Sequence, residues 1–199
     1  MTTLTSTLTV RVSNLASYAR WKEDEESDLA ALIAMIRGGE ESEAMRKGTA
    51  FHKALELAME GDSLETITQD GYTFAFTLDG ELWIPPTREI RREKDYGGII
   101  VSGQTDALIH RTIYDHKTTE KFDAERYLEG WQWKYYLDIF NADRFIWNVF
   151  ECKEMDEPKS YCVHKMHRLE AFRYDRIERD CQDLAREFRV FAESTLGWQ

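Results

Sequence analysis

The sequence has little cysteine, little positive charge and no long apolar run. Its three cysteines are too few and too scattered for a disulfide scaffold. No apolar run approaches the roughly 18 residues of a membrane span. The first twelve residues lack the basic start and the apolar core of a signal peptide. These absences exclude a disulfide-rich secreted domain and a membrane-spanning chain, and they predict a cytoplasmic protein.

Positive charge is scarce relative to negative charge. Lysine and arginine number 26 against 37 aspartates and glutamates, which gives a formal net charge of −11. Such a balance argues against a protein that coats DNA by bulk electrostatics, although it allows local phosphate contacts. The 199 residues, 42% hydrophobic and 32% charged, predict one soluble domain over residues 1–199 with a sizeable core.

A carboxylate and a lysine stand two residues apart in the segment that organises the chain. Asp115 and Lys117 lie in a strand-like run, so their side chains share one face. A second strand-like run, residues 98–109, contains Asp106. If the chain turns tightly at His110 and Arg111, Asp106 faces Asp115 on the neighbouring strand.

This pairing has a chemical consequence. Opposite residues of antiparallel strands have Cβ atoms roughly 4.5–5.5 Å apart, and two carboxylates at that distance repel unless a cation or a proton lies between them. The pattern therefore predicts a divalent cation held by Asp106 and Asp115. Lys117, on the same face, would stand where it can stabilise a reacting oxyanion.

Two helical patterns flank this segment. His52 and Glu56 share a face of a predicted helix, with Gly48 one turn earlier. A lone helical histidine is ordinarily a partly buried side chain satisfied by a neighbour, so the interpretation of His52 depends on the other motifs. Gln132 and Tyr136 share a face of a later helix.

Together these motifs resemble the PD-(D/E)XK nucleases, and in particular their RecB-like branch. The resemblance spans residues 48–136, just under half of the chain, and the motifs stand in the family's order. They are Gly48-x-x-x-His52-x-x-x-Glu56, Gly103-x-x-Asp106, Asp115-x-Lys117 and Gln132-x-x-x-Tyr136.

The resemblance implies an α/β fold of the restriction-endonuclease-like type, with helices packed around a central mixed β-sheet. It implies Mg²⁺ or Mn²⁺ held by His52, Asp106 and Asp115, and hydrolysis of DNA phosphodiester bonds in which Lys117 orients the attacking water or stabilises the transition state. The helical Gln/Tyr pair would position DNA or brace the lysine. Some relatives carry a four-cysteine iron–sulfur cluster, which three cysteines cannot supply.

RecB-like proteins of this size often act as exonucleases in recombination, including phage systems. The expected substrate is therefore a linear duplex or a single-stranded DNA end, in the host cytoplasm if the chain is phage-encoded. A recombination or single-strand-binding protein is a candidate partner. Arg88, Arg92 and Lys94 share one strand face that suits phosphate contact, or that keeps an edge strand soluble.

Three alternatives stay open at this point. A structure-specific endonuclease would use the same residues, and a catalytically idle DNA-binding or assembly module would keep the fold without turnover. The matches could also arise by chance on an acidic globular domain.

The remaining patterns predict the other elements. The expected helices cover residues 13–36, ended by Gly38-Gly39, and residues 42–59, 123–140 and 170–195. The expected strands include a hairpin at Asp79-Gly80 within residues 73–84, a basic strand over residues 87–96, and strands over residues 145–153 and 160–169.

Overall fold

The structure, a computed structural model, describes residues 8–24, 26–60, 66–78 and 89–198, except for the side chains of residues 57–60. Its helices are α1 (Val12–Glu23), α2 (Leu29–Ile36), α3 (Glu43–Glu60), α4 (Ala124–Glu129), α5 (Gln132–Ile139) and α6 (Ile177–Phe191), which a π-helical turn, Ala192–Leu196, extends. The strands are β1 (Leu8–Arg11), β2 (Thr66–Gln69), β3 (Tyr72–Phe76), β4 (Ile90–Asp95), β5 (Ile99–Thr105), β6 (Ala107–Ile109), β7 (Thr112–Thr119), β8 (Arg144–Glu154) and β9 (Ser160–Phe172).

The strands form two mixed sheets. The larger has the order β2-β3-β9-β8-β7-β6, and the smaller has the order β1-β5-β4. Both contain parallel and antiparallel neighbours, for example β7 with β8 and β8 with β9. The prediction of an α/β fold with helices around a mixed sheet is confirmed, with the correction that two sheets replace one.

The division between the sheets occurs at Asp106. The run predicted as one strand over residues 98–109 breaks there into β5, in the small sheet, and β6, in the large sheet. Buried Thr105 stabilises the bend, because its hydroxyl lies 3.4 Å from the carbonyl oxygen of Ala107 and 3.2 Å from that of Tyr114, both of which accept a hydrogen bond from it. The bend leaves Asp106 outside both strands, at the junction of the two sheets.

The predicted hairpin register is confirmed. Ile109 pairs with Thr112, and Ala107 pairs with Tyr114. The ladder ends at that pair, and the carboxylate of Asp106 accepts from the backbone N–H of His116, the residue after Asp115, at 2.7 Å.

Several predicted helices are shorter than expected because polar residues and glycine interrupt them. The helix over residues 13–36 is two helices, and the side chain of Asp28 caps the second by accepting from the backbone N–H of Ala30 at 2.8 Å. The helix over residues 123–140 is also two, since Gly130 takes an extended backbone between α4 and α5. Ser42 caps α3 as predicted, accepting from the backbone N–H of Met45.

Three further expectations concern the ends of elements. The helix predicted over residues 170–195 begins only at Ile177, because residues 170–172 continue β9. The hairpin predicted at Asp79-Gly80 and the first residues of the predicted basic strand lie outside the described residues.

Among the residues that the structure describes, no helix combines the length and the apolar composition that a bilayer crossing requires.

An aromatic cluster fixes α3 on the large sheet. Phe51 is completely buried, and its ring centroid lies 5.2 Å from that of Phe74 on β3 and 5.0 Å from that of Phe150 on β8. Burying a side chain of this size contributes about 1.5–3 kcal/mol. Because His52 follows Phe51 directly, this packing also fixes the position of the His52 backbone, from which the imidazole projects.

Candidate active site

The structure brings the predicted motif residues together from four elements. Asp115 and Lys117 project from β7, Asp106 lies at the bend between the sheets, and His52 comes from α3. The two helical residues of the last motif come from the start of α5. Asp106 and His52 both contact the residue in the middle of the Asp-x-Lys motif, which is His116.

The backbone of His116 holds both Asp106 and His52. Its N–H donates to Asp106 Oδ2 at 2.7 Å, and its carbonyl oxygen lies 2.8 Å from His52 Nε2. A carbonyl can only accept, so His52 Nε2 carries a proton and donates it. The other imidazole nitrogen, Nδ1, therefore faces Asp106, at 3.4 Å from Oδ1.

This geometry changes how both groups titrate. Burial by itself lowers the pKa of His52, but the hydrogen bond and the negative charge of Asp106 outweigh it, and the net pKa is raised. Burial by itself raises the pKa of Asp106, but the hydrogen bond and charge of His52 outweigh it and lower that pKa to about 2. Each group thus stabilises the charged form of the other.

Asp115 and Lys117 form a second pair on β7. Lys117 Nζ donates to Asp115 Oδ1 at 3.0 Å and lies 2.8 Å from Oδ2. Burial raises the pKa of Asp115, while burial and the Asp115 charge act in opposite directions on Lys117, whose pKa is raised overall. Lys117 is therefore a cation at neutral pH and acts as a charge or a proton donor, not as a proton acceptor.

The carboxylates and the imidazole are a chemically suitable ligand set for a hard divalent cation. Among the described residues no three His, Cys, Asp or Glu side chains already stand close enough to hold a metal, because Asp106 is turned to His52 and Asp115 to Lys117. Asp115 Oδ2 is buried and accepts no well-directed hydrogen bond from a described residue, although Lys117 Nζ lies 2.8 Å from it. A cation that lies between the two pairs would give this oxygen a further partner.

The helical pair lies next to the lysine. Gln132 Nε2 lies 3.3 Å from the hydroxyl of Tyr136 and donates to it. Burial raises the pKa of Tyr136, and the negative charge of Asp115 adds to this. The tyrosine ring stacks on Phe145 of β8, with ring centroids 5.9 Å apart. The structure thus places both residues beside Lys117, and the roles proposed for them remain predictions.

Gly103 makes room for this tyrosine. A Cβ atom at residue 103 would lie 2.8 Å from the Tyr136 ring and 3.3 Å from Val12, distances that require the buried ring to move. The glycine of the Gly103-x-x-Asp106 motif therefore has a packing role. The other motif glycine differs, because a Cβ atom at Gly48 would meet no described atom within 4 Å. No described part of the chain therefore approaches Gly48 closely.

These two glycines form a matched pair for mutation. Gly103→Ala is expected to destabilise the protein by about 1–3 kcal/mol through overpacking, lowering the melting temperature by several degrees, and to lower activity by displacing Tyr136. Gly48→Ala is expected to stabilise α3 by up to about 1 kcal/mol. Thermal unfolding of both variants checks this, and equal melting temperatures for the two would contradict the packing role of Gly103.

The basic strand makes contacts within the protein that the sequence did not predict. Lys94 binds the fully buried Asp138 of α5 at 3.0 Å and Glu178 of α6 at 2.8 Å. Arg92 donates to the carbonyl oxygen of Phe140 at 3.2 Å. Both cations therefore anchor helices to the small sheet, and their binding of phosphates stays a prediction. Arg88, the third member of the predicted set, lies outside the described residues.

A cleft beside Lys117 contains cations that the sequence did not single out. Its volume is about 720 Å³, and its lining includes Lys117, Gln132, Arg20 of α1, Arg126 of α4 and Trp131. Arg20 and Arg126 are far apart in the sequence and belong to no motif. No spacing pattern could have identified them, because only the fold brings α1 and α4 to the same cleft.

Fold and site together define an α/β protein with two acidic side chains, a lysine and a histidine at a junction of two sheets. The crystal structure of SSO0001 matches 94% of this chain and 77% of its own chain, with a TM-score of 0.50 and 18% sequence identity. The likeness to SSO0001 shows a shared fold.

Two other solved structures resemble the chain less closely in TM-score. LHK-Exo, an alkaline exonuclease from Laribacter hongkongensis in complex with dAMP, has a TM-score of 0.46 and 15% identity, covering 93% of this chain and 88% of its own. A phage related exonuclease from Haemophilus somnus 129PT has a TM-score of 0.48 and 12% identity, covering 94% and 97%. No protein-family model and no curated protein matches the chain.

Proposed function

We propose that this chain is a metal-dependent deoxyribonuclease of the PD-(D/E)XK class, in its RecB-like branch, and that it acts as an exonuclease. One observation carries the proposal. The backbone of His116 orients Asp106 and His52, while its two neighbours in the chain are the paired Asp115 and Lys117. Residues 115–117 of β7 thus supply two groups suited to metal-assisted phosphodiester hydrolysis, Asp115 and Lys117, and hold two more, Asp106 and His52, through the backbone of His116.

Each residue has a role that follows from its state. Asp106, Asp115 and His52 Nδ1 would hold Mg²⁺ or Mn²⁺. When bound, such an ion acidifies a water and neutralises charge on the phosphate. Lys117 is positively charged and lies at the same face, so it would stabilise the negative charge that builds on the phosphate oxygens or orient the attacking water. Gln132 and the Tyr136 hydroxyl would position the DNA or limit the movement of Lys117.

The substrate in this proposal is the end of a linear duplex or of a single strand. A role in recombination, in a host cytoplasm and with a recombination or single-strand-binding protein as partner, is part of the same proposal. The net charge of −11 supports a local mode of binding, since a chain this acidic has little general attraction for duplex DNA.

The proposal is tested by incubating end-labelled linear duplex and single-stranded DNA with the protein in Mg²⁺, in Mn²⁺ or in EDTA. We expect hydrolysis with either metal and none in EDTA. Asp106→Ala, purified in the same way, is the control for contaminating nucleases. If the wild type binds DNA but hydrolyses none with either metal, the chain is a binding module.

Metal binding should also be visible in the stability of the protein. A cation that relieves the repulsion between Asp106 and Asp115 binds the folded state more tightly than the unfolded state. Mn²⁺ is therefore expected to raise the melting temperature of the wild type but not that of Asp106→Ala. Equal shifts in both proteins would show that the ion binds elsewhere.

The size of this shift should depend on pH because the ion replaces the proton of His52. The raised pKa of His52 means that the proton stabilises the metal-free fold below about pH 6.5, and that this contribution is lost as pH rises through the folded-state pKa. The shift with Mn²⁺ is therefore expected to be larger near pH 8 than near pH 6. In His52→Ala the difference between the two pH values should largely disappear. An unchanged pH dependence in that variant would remove His52 from the metal site.

A further inference from the structure

We propose that the cleft beside Lys117 binds an unpaired DNA strand, with Arg20 and Arg126 on its phosphates and Trp131 against a base. The choice of DNA as the ligand rests on the proposed function. The assignment of these three residues rests on the size and position of the cleft, on the charged and aromatic side chains that line it, and on the unpaired state of its two arginines among the described residues.

The size and position of the cleft suit a few nucleotides. At about 720 Å³ it falls within the roughly 300–1,000 Å³ of sites that enclose a small organic molecule, so it accommodates one or two nucleotides. Thr118 and Thr119, which follow Lys117 on β7, form one wall, and the start of α5 forms another. A strand in the cleft would therefore extend directly to the residues that are proposed to cleave it.

The two arginines are available to a ligand. Among the described residues neither Arg20 nor Arg126 has a side-chain hydrogen bond or ion pair, whereas Lys94, Arg144 and Arg173 each bind a carboxylate of this acidic chain. Unpaired arginines that flank a cleft are suited to phosphate oxygens, which they bind with charge-assisted hydrogen bonds.

The acidic residues of the cleft restrict where a phosphate could lie. Four carboxylates also line it, and three cations oppose them. The side chain of Asp123 is already engaged, because it caps α4 by accepting from the backbone N–H of Glu125. A polyanion would be repelled from the acidic lining and held along the cations. The acidic lining residues are Glu23, Asp123, Glu125 and Glu129, and the cationic ones are Lys117, Arg20 and Arg126.

Aromatic side chains explain why the strand should be unpaired. Tyr127 and Trp131, which are partly exposed, line the cleft together with the buried Trp147. Base faces can stack on aromatic rings only when the duplex is open. Trp131 also lines a second cavity, of about 410 Å³. Lys134 lines that cavity too, and its Nζ atom lies 4.2 Å from the ring centroid of Trp131. The lysine thus covers Trp131 from the side of the second cavity.

The test measures binding separately from hydrolysis. Fluorescein-labelled dT12 is titrated with the protein in EDTA, and anisotropy is recorded at several KCl concentrations. We expect Arg20→Ala combined with Arg126→Ala to weaken binding at least tenfold and to reduce the slope of log K against log salt by about 1.4, which is roughly 0.7 for each lost phosphate contact on a single strand. Trp131→Ala should weaken binding roughly tenfold with the slope unchanged, and Trp131→Phe should restore most of it.

The control is Arg176→Ala combined with Arg179→Ala, an equal loss of charge at two exposed arginines that do not line the cleft. It should bind dT12 as the wild type does. Thermal unfolding is recorded for every variant, so that loss of folding is not taken for loss of binding. A blunt hairpin duplex is titrated in parallel and should bind more weakly than dT12.

The outcomes separate this inference from the proposed function. If the folded arginine and tryptophan variants bind dT12 within twofold of the wild type, or if the wild type does not bind dT12, the cleft assignment is overturned, even if the protein hydrolyses DNA. If they lose binding as expected, the assignment stands, even if the wild type hydrolyses no DNA with any metal.

Discussion

Lys117→Ala is expected to lower the rate of DNA cleavage by a factor on the order of a hundred or more, while DNA and metal still bind. The reason is the position and the state of the ammonium group. It lies 2.8 Å from Asp115 Oδ2, and its raised pKa keeps it charged at neutral pH. In the proposed mechanism its contribution would be made where negative charge builds in the transition state, so its loss is expected to lower kcat more than it raises KM.

The control for this variant is Lys153→Ala, which removes an equal charge at an exposed residue near the end of β8. Loss of Lys117 also leaves the buried Asp115 without its cation, so the melting temperature has to be measured as well. If Lys117→Ala loses DNA binding and rate in proportion, the lysine grips phosphate in the ground state and has no special role in the transition state.

Asp115→Asn is expected to abolish cleavage, with a loss on the order of a thousandfold or more. The substitution keeps the shape of the side chain and removes the charge that would hold the metal, which contributes several kcal/mol of transition-state stabilisation. Several kcal/mol corresponds to a loss of that size. The substitution also removes the main charge that keeps the pKa of Lys117 raised against its burial, so two members of the site change together.

The measurement compares Asp115→Asn with wild type in single-turnover cleavage with Mn²⁺ and with Mg²⁺. An exposed carboxylate serves as the control, and Asp175→Asn is suitable because Asp175 lies at the surface between β9 and α6. Retention of more than a tenth of the wild-type rate in Asp115→Asn would show that this carboxylate does not hold the catalytic metal.

The centre of the site could be predicted because it depends on local periodicity. Alternation along β7 places Asp115 and Lys117 on one face, and the tight turn fixes a hairpin register whose last pair, Ala107 with Tyr114, adjoins Asp106 and Asp115. The contact of His52 with the strand also follows the motif, although sequence alone could not show that it is made through the backbone of His116.

The rest depends on partners that are distant in the sequence. The sequence predicts that Lys94 is a surface cation of a basic strand. In the structure its side chain binds Asp138 and Glu178, which the fold brings to it from α5 and α6. Conversely, Arg20 and Arg126 read as ordinary helix-surface charges and lie unpaired, among the described residues, in the cleft. Whether a cation is free or paired is a tertiary property that spacing does not encode.

The break of one strand-like run into two sheets is a similar case. Residues 98–109 have the composition of a continuous strand, and the bend at Asp106 is stabilised by the hydroxyl of Thr105, which bonds to carbonyls of both β6 and β7. This bend turns the Asp106 carboxylate towards the N–H of His116. The feature that the sequence missed is thus the one that orients a predicted metal ligand.

The most direct test of the account uses one mixture of end-labelled linear duplex and covalently closed circular DNA of the same sequence. The protein is added with Mg²⁺ or Mn²⁺, and both substrates are followed over the same time. The account predicts progressive degradation of the linear DNA to short products, survival of the circles, and no cleavage in EDTA or by Asp106→Ala. Nicking or linearisation of the circles at a rate comparable with loss of the linear DNA would contradict it.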